Sequence, residues 1–242
     1  MLTIIGIGVD DHSDITLKGL EALKEADTIY LESYTSVLQE KKESLEKYWK
    51  VKITPAYRDD IEGEPNKLIE KAKTGNVVLL IIGDPLTATT HTDILLRARE
   101  LGITTSIIHN AGILTLVSET GLQLYKFGKT TSIPFDEHGA STAYTTTAHN
   151  LSIKAHTLLL LDLDPVNNTF LDVPTALGRL LDEERKHKKK IITSETKLIV
   201  CERLGTTTQT IRYDTVANLY KTKYGKPPHC IIIPSVLHFM EE

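Results

Sequence analysis

Apolar and polar positions along the chain fall into two regimes, and the first covers roughly the N-terminal half. Leu2–Gly8 is a short apolar run closed by Gly6-Ile7-Gly8. Asp14 is placed to cap a helix in which Leu17, Leu20 and Leu23 recur at helical spacing. Thr28–Leu31 reads as a second strand, Gln39–Lys47 as a charged helix, and Asn66–Lys73 as another helix approached through Glu64-Pro65. Val77–Ile82 is apolar without alternation, the pattern of a strand buried on both faces. A helix over Thr92–Leu101 and a strand at Thr105–His109 follow. This βαβα rhythm predicts a mostly parallel sheet with helices on both faces.

The second regime has shorter strands and hairpin-like spacing. Thr130–Pro134 and Thr157–Asp162 read as strands around a Thr-rich helix or loop near Ala143–Asn150. Leu161-Asp162-Leu163-Asp164-Pro165 closes the leucine run in a turn, and Pro174 suits the first turn of a helix over Pro174–Lys186. Strands at Leu198–Arg203, Thr208–Tyr213 and Cys230–Pro234, with a helix near Thr215–Tyr220, predict a mixed sheet. The change of character places a domain boundary around Ser132–Phe135. The expectation is therefore two α/β domains, residues 1–133 with a mostly parallel sheet and residues 134–242 with a mixed one.

Composition narrows the class. A chain of 242 residues can bury a substantial core in one or two domains. The net charge of −4 gives no global reason to expect nucleic acid or anionic membrane as a partner. Cys201 and Cys230 each sit in an apolar run, which reads as buried thiols in a reducing cytoplasm rather than a disulfide, and lacks metal-site spacing. MLTIIGIGVDD is too short an apolar run for a signal peptide, and no stretch has the length of a membrane span. The expectation is a soluble cytoplasmic protein with no metal.

Candidate chemistry gathers where strands end. Gly6-Ile7-Gly8 invites a dinucleotide reading, but Asp11 stands where the third glycine would be, and Asp10-Asp11 would repel a pyrophosphate. A loop of close backbone approach to a ligand remains. Gly83-Asp84-Pro85 is either a plain turn or a ligand loop at the carboxyl end of a buried strand, with Asp84 as a fixed negative acceptor for hydroxyls, amines or a sulfonium. His91 is either a general base or the residue that opens the next helix. His109-Asn110-Ala111-Gly112 follows the next strand, so a parallel sheet brings its loop beside that of Asp84; as a plain turn it would use Asn110 as a helix cap. Arg185–Lys190 reads as a solvated helix end, with a docking patch for an acidic or ribonucleoprotein partner as the alternative. The Walker loop, G-x-S-x-G, H-E-x-x-H and paired C-x-x-C motifs are all absent.

Gly83-Asp84-Pro85-Leu86-Thr87-Ala88-Thr89-Thr90-His91-Thr92-Asp93 resembles the central motif of the diphthine synthases. The resemblance continues through Tyr30–Ser36, His109-Asn110-Ala111, Gly121–Gly128 (GLQLYKFG), Ser132–Phe135, Leu161-Asp162-Leu163 and Pro228-His229 to Leu237-His238, covering essentially the whole chain in order. It implies a tetrapyrrole-methylase-like fold: two α/β domains with an S-adenosylmethionine cleft between them, in a homodimer. It further implies successive methylation of the amino nitrogen of 2-(3-amino-3-carboxypropyl)histidine on translation elongation factor 2, releasing S-adenosylhomocysteine. Archaeal members stop at the trimethylated amine, whereas eukaryotic members add a methyl ester. The short chain, without long insertions, resembles the archaeal type.

Carried over residue by residue, the resemblance implies cofactor contacts at Val9, at Asp84 and Thr87, at Gly112 and Ile113, at Leu163, at Leu204 and at His229. Several would be backbone contacts. The chain departs from the family in the Gly8-Val9-Asp10-Asp11 loop, in Gly112 where serine is common, and in Pro234-Ser235 where Pro-Gly is usual. Any side-chain hydrogen bond from position 112 is thereby lost. The resemblance names no proton acceptor; His91, Glu32 and His109 are the candidates. A precorrin methylase of the same fold and a non-catalytic adenosylmethionine-binding module are the rival readings.

Overall fold

The computed structural model describes residues 1–63, 66–136 and 139–242. The Glu64-Pro65 approach to the third predicted helix lies outside them. The chain divides into two compact units, Met1–Leu116 and Val117–Glu242. That break falls earlier than the sequence suggests, because Thr131–Ile133 pairs in parallel with Thr157–Leu161 and so belongs to the second sheet.

The first unit runs β1 (Leu2–Gly6), α1 (Leu17–Lys24), β2 (Thr28–Glu32), α2 (Lys42–Trp49), β3 (Thr54–Ala56), α3 (Arg58–Glu62), α4 (Lys67–Ala72), β4 (Val77–Ile81), α5 (Thr92–Glu100), β5 (Thr105–Ile108) and α6 (Ile113–Leu116). Its sheet is parallel throughout, in the order β3-β2-β4-β1-β5. Successive residues of each strand face opposite layers. Leu2 and Ile4 with Val77, Leu79 and Ile81 pack on Leu68, Ile69, Ile94 and Leu95 of α4 and α5. Ile5, Val78 and Leu80 pack on Leu23, Leu45 and Trp49 of α1 and α2. This double burial is why the strands read as unbroken apolar runs.

The local expectation for the start of α1 is corrected. Helix α1 is capped by Thr16, whose Oγ1 accepts the Gly19 N–H at 3.0 Å, and not by Asp14. Asp14 instead accepts the Val9 and Asp10 N–H groups at 3.0 and 2.9 Å, which shapes the loop after β1. Asn66, which the sequence pattern places inside its helix, instead caps α4, its Oδ1 accepting from Leu68 and Ile69.

The second unit runs β6 (Thr131–Ile133), α7 (Ala140–Ser152), β7 (Thr157–Leu161), β8 (Leu163–Asp164), β9 (Thr169–Phe170), α8 (Val173–His187), β10 (Lys197–Glu202), β11 (Thr210–Thr215), α9 (Val216–Lys221) and β12 (His229–Ile233). The sheet β11-β10-β12-β7-β6 is mixed, only β6 and β7 being parallel. Tyr144 of α7, Val173, Ala176, Leu177 and Leu180 of α8 and Val216 and Leu219 of α9 form one core with Leu159, Leu161, Val200, Ile231 and Ile233. The Thr-rich segment is thus helix α7. Among the described residues no helix is long and apolar enough to cross a membrane.

Candidate active site

In the first unit the site candidates stand at the carboxyl edge of the parallel sheet, where such sheets bind ligands. Strands β4 and β5 flank β1, so their loops reach each other only by crossing its end. Gly6 makes the crossing possible. A Cβ there would lie 2.5 Å from the Gly83 carbonyl oxygen and 2.9 Å from both Asn110 Cβ and Pro85 Cδ. Gly8 and Gly83 form an isolated antiparallel bridge, both at positive φ (76° and 81°), a region glycine enters without penalty.

Asp84 is the knot of this edge. Its Oδ1 accepts the Leu86 N–H at 3.0 Å and the Thr87 hydroxyl at 3.1 Å. Its Oδ2 meets His109 Nδ1 at 2.7 Å and accepts the Asn110 N–H at 3.3 Å. Burial pushes the carboxyl up, but these hydrogen bonds together outweigh it and hold Asp84 below the usual carboxylate range. Asp84 is therefore ionised at neutral pH and can only accept. Asn110, a helix cap in the plain-turn alternative, donates through Nδ2 to the carbonyls of Gly6 (3.0 Å) and Asp14 (2.9 Å), locking the β1 and β5 loops together.

Of the predicted contact residues, the structure brings Asp84, Thr87 and Gly112 into one cluster. A Cβ on Gly112 would stand 3.0 Å from Asp84 N and 3.4 Å from Thr87 Cβ, so the loop approaches more tightly than a serine would allow. Val9 adjoins this cluster through Gly8, and Ile113 opens α6 directly after Gly112. The other three lie in the second unit. Because β12 runs antiparallel to β7 and β10, its first residue His229 lies at the edge where those strands end, and Leu163 and Leu204 follow there. The His229 Nε2 is buried, makes no hydrogen bond among the described residues, and sits 4.0 Å from Glu202 Oε2. Burial lowers its pKa, so the ring is neutral at neutral pH.

The three candidate proton acceptors separate clearly. Glu32 has 0% exposure; it accepts the Tyr34 and Thr35 N–H groups and the Thr35 hydroxyl, and burial raises its pKa. His91 is 1% exposed, its Nδ1 held 2.7 Å from Thr89 Oγ1; it precedes α5 without making a side-chain cap. The His109 side chain is 63% exposed. Sequence reasoning missed the tie through Asn110, for which a polar residue straight after a buried strand was the available signal. Asp11, His12 and Glu40 also bring ligand-type atoms within 4.8 Å of one another. Their polar atoms are already engaged: Glu40 pairs with His12 and accepts the Ser44 hydroxyl, and Asp11 accepts from Ser13.

The sequence model of the Tetrapyrrole (Corrin/Porphyrin) Methylases matches residues 1–220. Over 244 residues the chain is 43% identical to the diphthine synthase of Methanococcus vannielii, covering 100% of this chain and 96% of that protein. It is 36% identical to the "Probable diphthine methyl ester synthase" of Arabidopsis thaliana, again covering 100% and 96%. A crystal structure of a diphthine synthase superposes with a TM-score of 0.90 at 38% identity, covering 99% of this chain and 92% of that one. The fold is that of a tetrapyrrole methylase. Within that class the chain belongs to the diphthine synthase family.

Proposed function

We propose that this protein methylates the amino group of 2-(3-amino-3-carboxypropyl)histidine on translation elongation factor 2, in the methylation stage of diphthamide synthesis. The observation that carries the reading is full-length similarity to diphthine synthases, 43% identical across both chains. S-adenosylmethionine is the methyl donor in this reading, held at Val9, Asp84, Thr87, Gly112, Ile113, Leu163, Leu204 and His229. The chemistry fits: an ionised carboxylate pinned at a glycine-lined edge suits a cationic ligand, and Gly112 lets its loop pack closely against Asp84 and Thr87. When bound, that donor supplies an electrophilic methyl group on a sulfonium. The protein's task is to hold the amine in line and unprotonated, and positioning alone is worth up to ~7–11 kcal/mol in favourable cases. The reading includes a homodimer acting in the cytoplasm, and three methyl groups without the ester, as in the archaeal type.

Mass spectrometry of elongation factor 2 carrying the aminocarboxypropyl-histidine, after incubation with the protein and S-adenosylmethionine, tests this. A gain of three methyl groups is expected. Four would place the protein with the ester-forming enzymes, and none would overturn the reading.

A further inference from the structure

Resting on the methyltransfer reading, we infer that His109 is the proton acceptor for the incoming amine, with Asp84 as its positioning residue. Three observations carry this. First, Asp84 is an acceptor only, so the 2.7 Å contact requires His109 Nδ1 to carry the proton. In the neutral ring that places the basic lone pair on Nε2. Second, the ring stands at the same edge as the Gly112–Thr87–Asp84 cluster yet remains 63% exposed, open to a substrate on one side and able to shed protons to water. Third, the other candidates are enclosed: Glu32 is wrapped by its own turn and His91 is buried against Thr89.

The step balances with one proton per methyl group. A proton of the substrate ammonium passes to Nε2, and the freed nitrogen lone pair bonds to the methyl carbon. The sulfur–carbon bond breaks and its electron pair leaves on sulfur. The new ammonium carries one proton fewer; the imidazolium gives its proton to water and the ring is ready again. After three transfers the nitrogen holds no proton, and the demand for a base ends.

The test uses the full-length protein, with wild-type transfer to elongation factor 2 as its control. His109→Asn keeps an N–H donor towards Asp84 but offers no base; His109→Ala removes both. Both variants are expected to bind S-adenosylmethionine in calorimetry as wild type does, while kcat falls roughly 100-fold or more, the usual reach of general-base catalysis. Added imidazole is expected to restore transfer by His109→Ala. Independently of turnover, ¹⁵N resonances of the wild-type ring are expected to show Nδ1 protonated and Nε2 free. Near-wild-type transfer by His109→Asn would make the ring a structural tie only, and the opposite tautomer would equally overturn the assignment. A failure of wild-type transfer would instead strike the methyltransfer reading itself.

Discussion

His156 and Glu241, 85 residues apart, share a buried hydrogen bond of 3.1 Å between Nε2 and Oε1. The Ser235 N–H donates to His156 Nδ1 at 2.9 Å, so Nε2 carries the proton of a neutral ring, consistent with the lowering of its pKa by burial. Glu241 also accepts the Gln123 and His238 N–H groups and pairs with Lys126. One carboxylate thus fastens the tail of the chain to the GLQLYKFG block.

Removing that carboxylate leaves the buried His156 Nε2 without a partner and takes away an acceptor of the Gln123 N–H. Glu241→Ala is expected to destabilise the protein by about 1–3 kcal/mol, the usual cost of leaving a buried donor unpaired. Urea unfolding followed by circular dichroism measures this.

The same residue gives acid sensitivity of definite sign. Burial pushes the Glu241 carboxyl up, yet its hydrogen bonds and Lys126 bring it down to about 2, from an ordinary 4.5. A depressed carboxyl stabilises fully above its unfolded value and less as pH falls through the folded one. The stability gap between wild type and Glu241→Gln is expected to be complete above 4.5 and to close as pH falls towards about 2. Denaturant midpoints across that range report it.

Gly6→Ala is expected to part the β4 and β5 loops, since its Cβ would lie 2.5 Å from the Gly83 carbonyl oxygen. Overpacking of this kind costs about 1–3 kcal/mol. Thermal unfolding should fall accordingly, and S-adenosylmethionine affinity in calorimetry should fall with it.

Glu184 accepts the N–H groups of Lys190, Ile191 and Ile192 at 2.6–3.0 Å and the Tyr144 hydroxyl at 2.8 Å. It folds the basic run back onto the end of α8, with Lys188 and Lys190 at positive φ. Glu184→Ala is expected to cost about 1–3 kcal/mol for donors left unpaired. Limited trypsin digestion should then cut at Lys188–Lys190 faster than in wild type.

Cys201 and Cys230 stand directly opposite each other on β10 and β12, both buried and both free thiols. A hydrogen bond to Cys201, together with burial, raises the Cys230 thiol well above its ordinary value. Thiolate is the reactive form. Neither cysteine is expected to react with a thiol reagent until the protein is unfolded, as a time-resolved labelling assay would show.

Much of the fold is legible in the sequence where burial is one-sided in its demands. Val77–Ile81 reads as a central strand because both its faces are covered, which leaves an unbroken apolar run. Thr54–Ala56 and Arg58–Glu62 do not stand out, being a three-residue edge strand containing Pro55 and a single charged turn. Asp14 carries a capping residue type, but Thr16 lies closer to the helix and wins that role. The site divides in the same way. The clustering of Asp84, Thr87 and Gly112 follows from loops of one parallel sheet. The nearness of the His109 loop follows likewise, but the bonds from Asn110 to the Gly6 and Asp14 carbonyls do not, because no local pattern says that β1 lies between the two strands.

The crossing over Gly6 also bears on how this protein can change. With Gly83, Pro85 and Asn110 already filling the place of a side chain, no single substitution at position 6 can be accommodated while those neighbours stay. Glycine is held there by the surrounding chain, whatever ligand the edge receives. Descendants that adopt another acceptor would be expected to keep this corner and vary the loops beyond it.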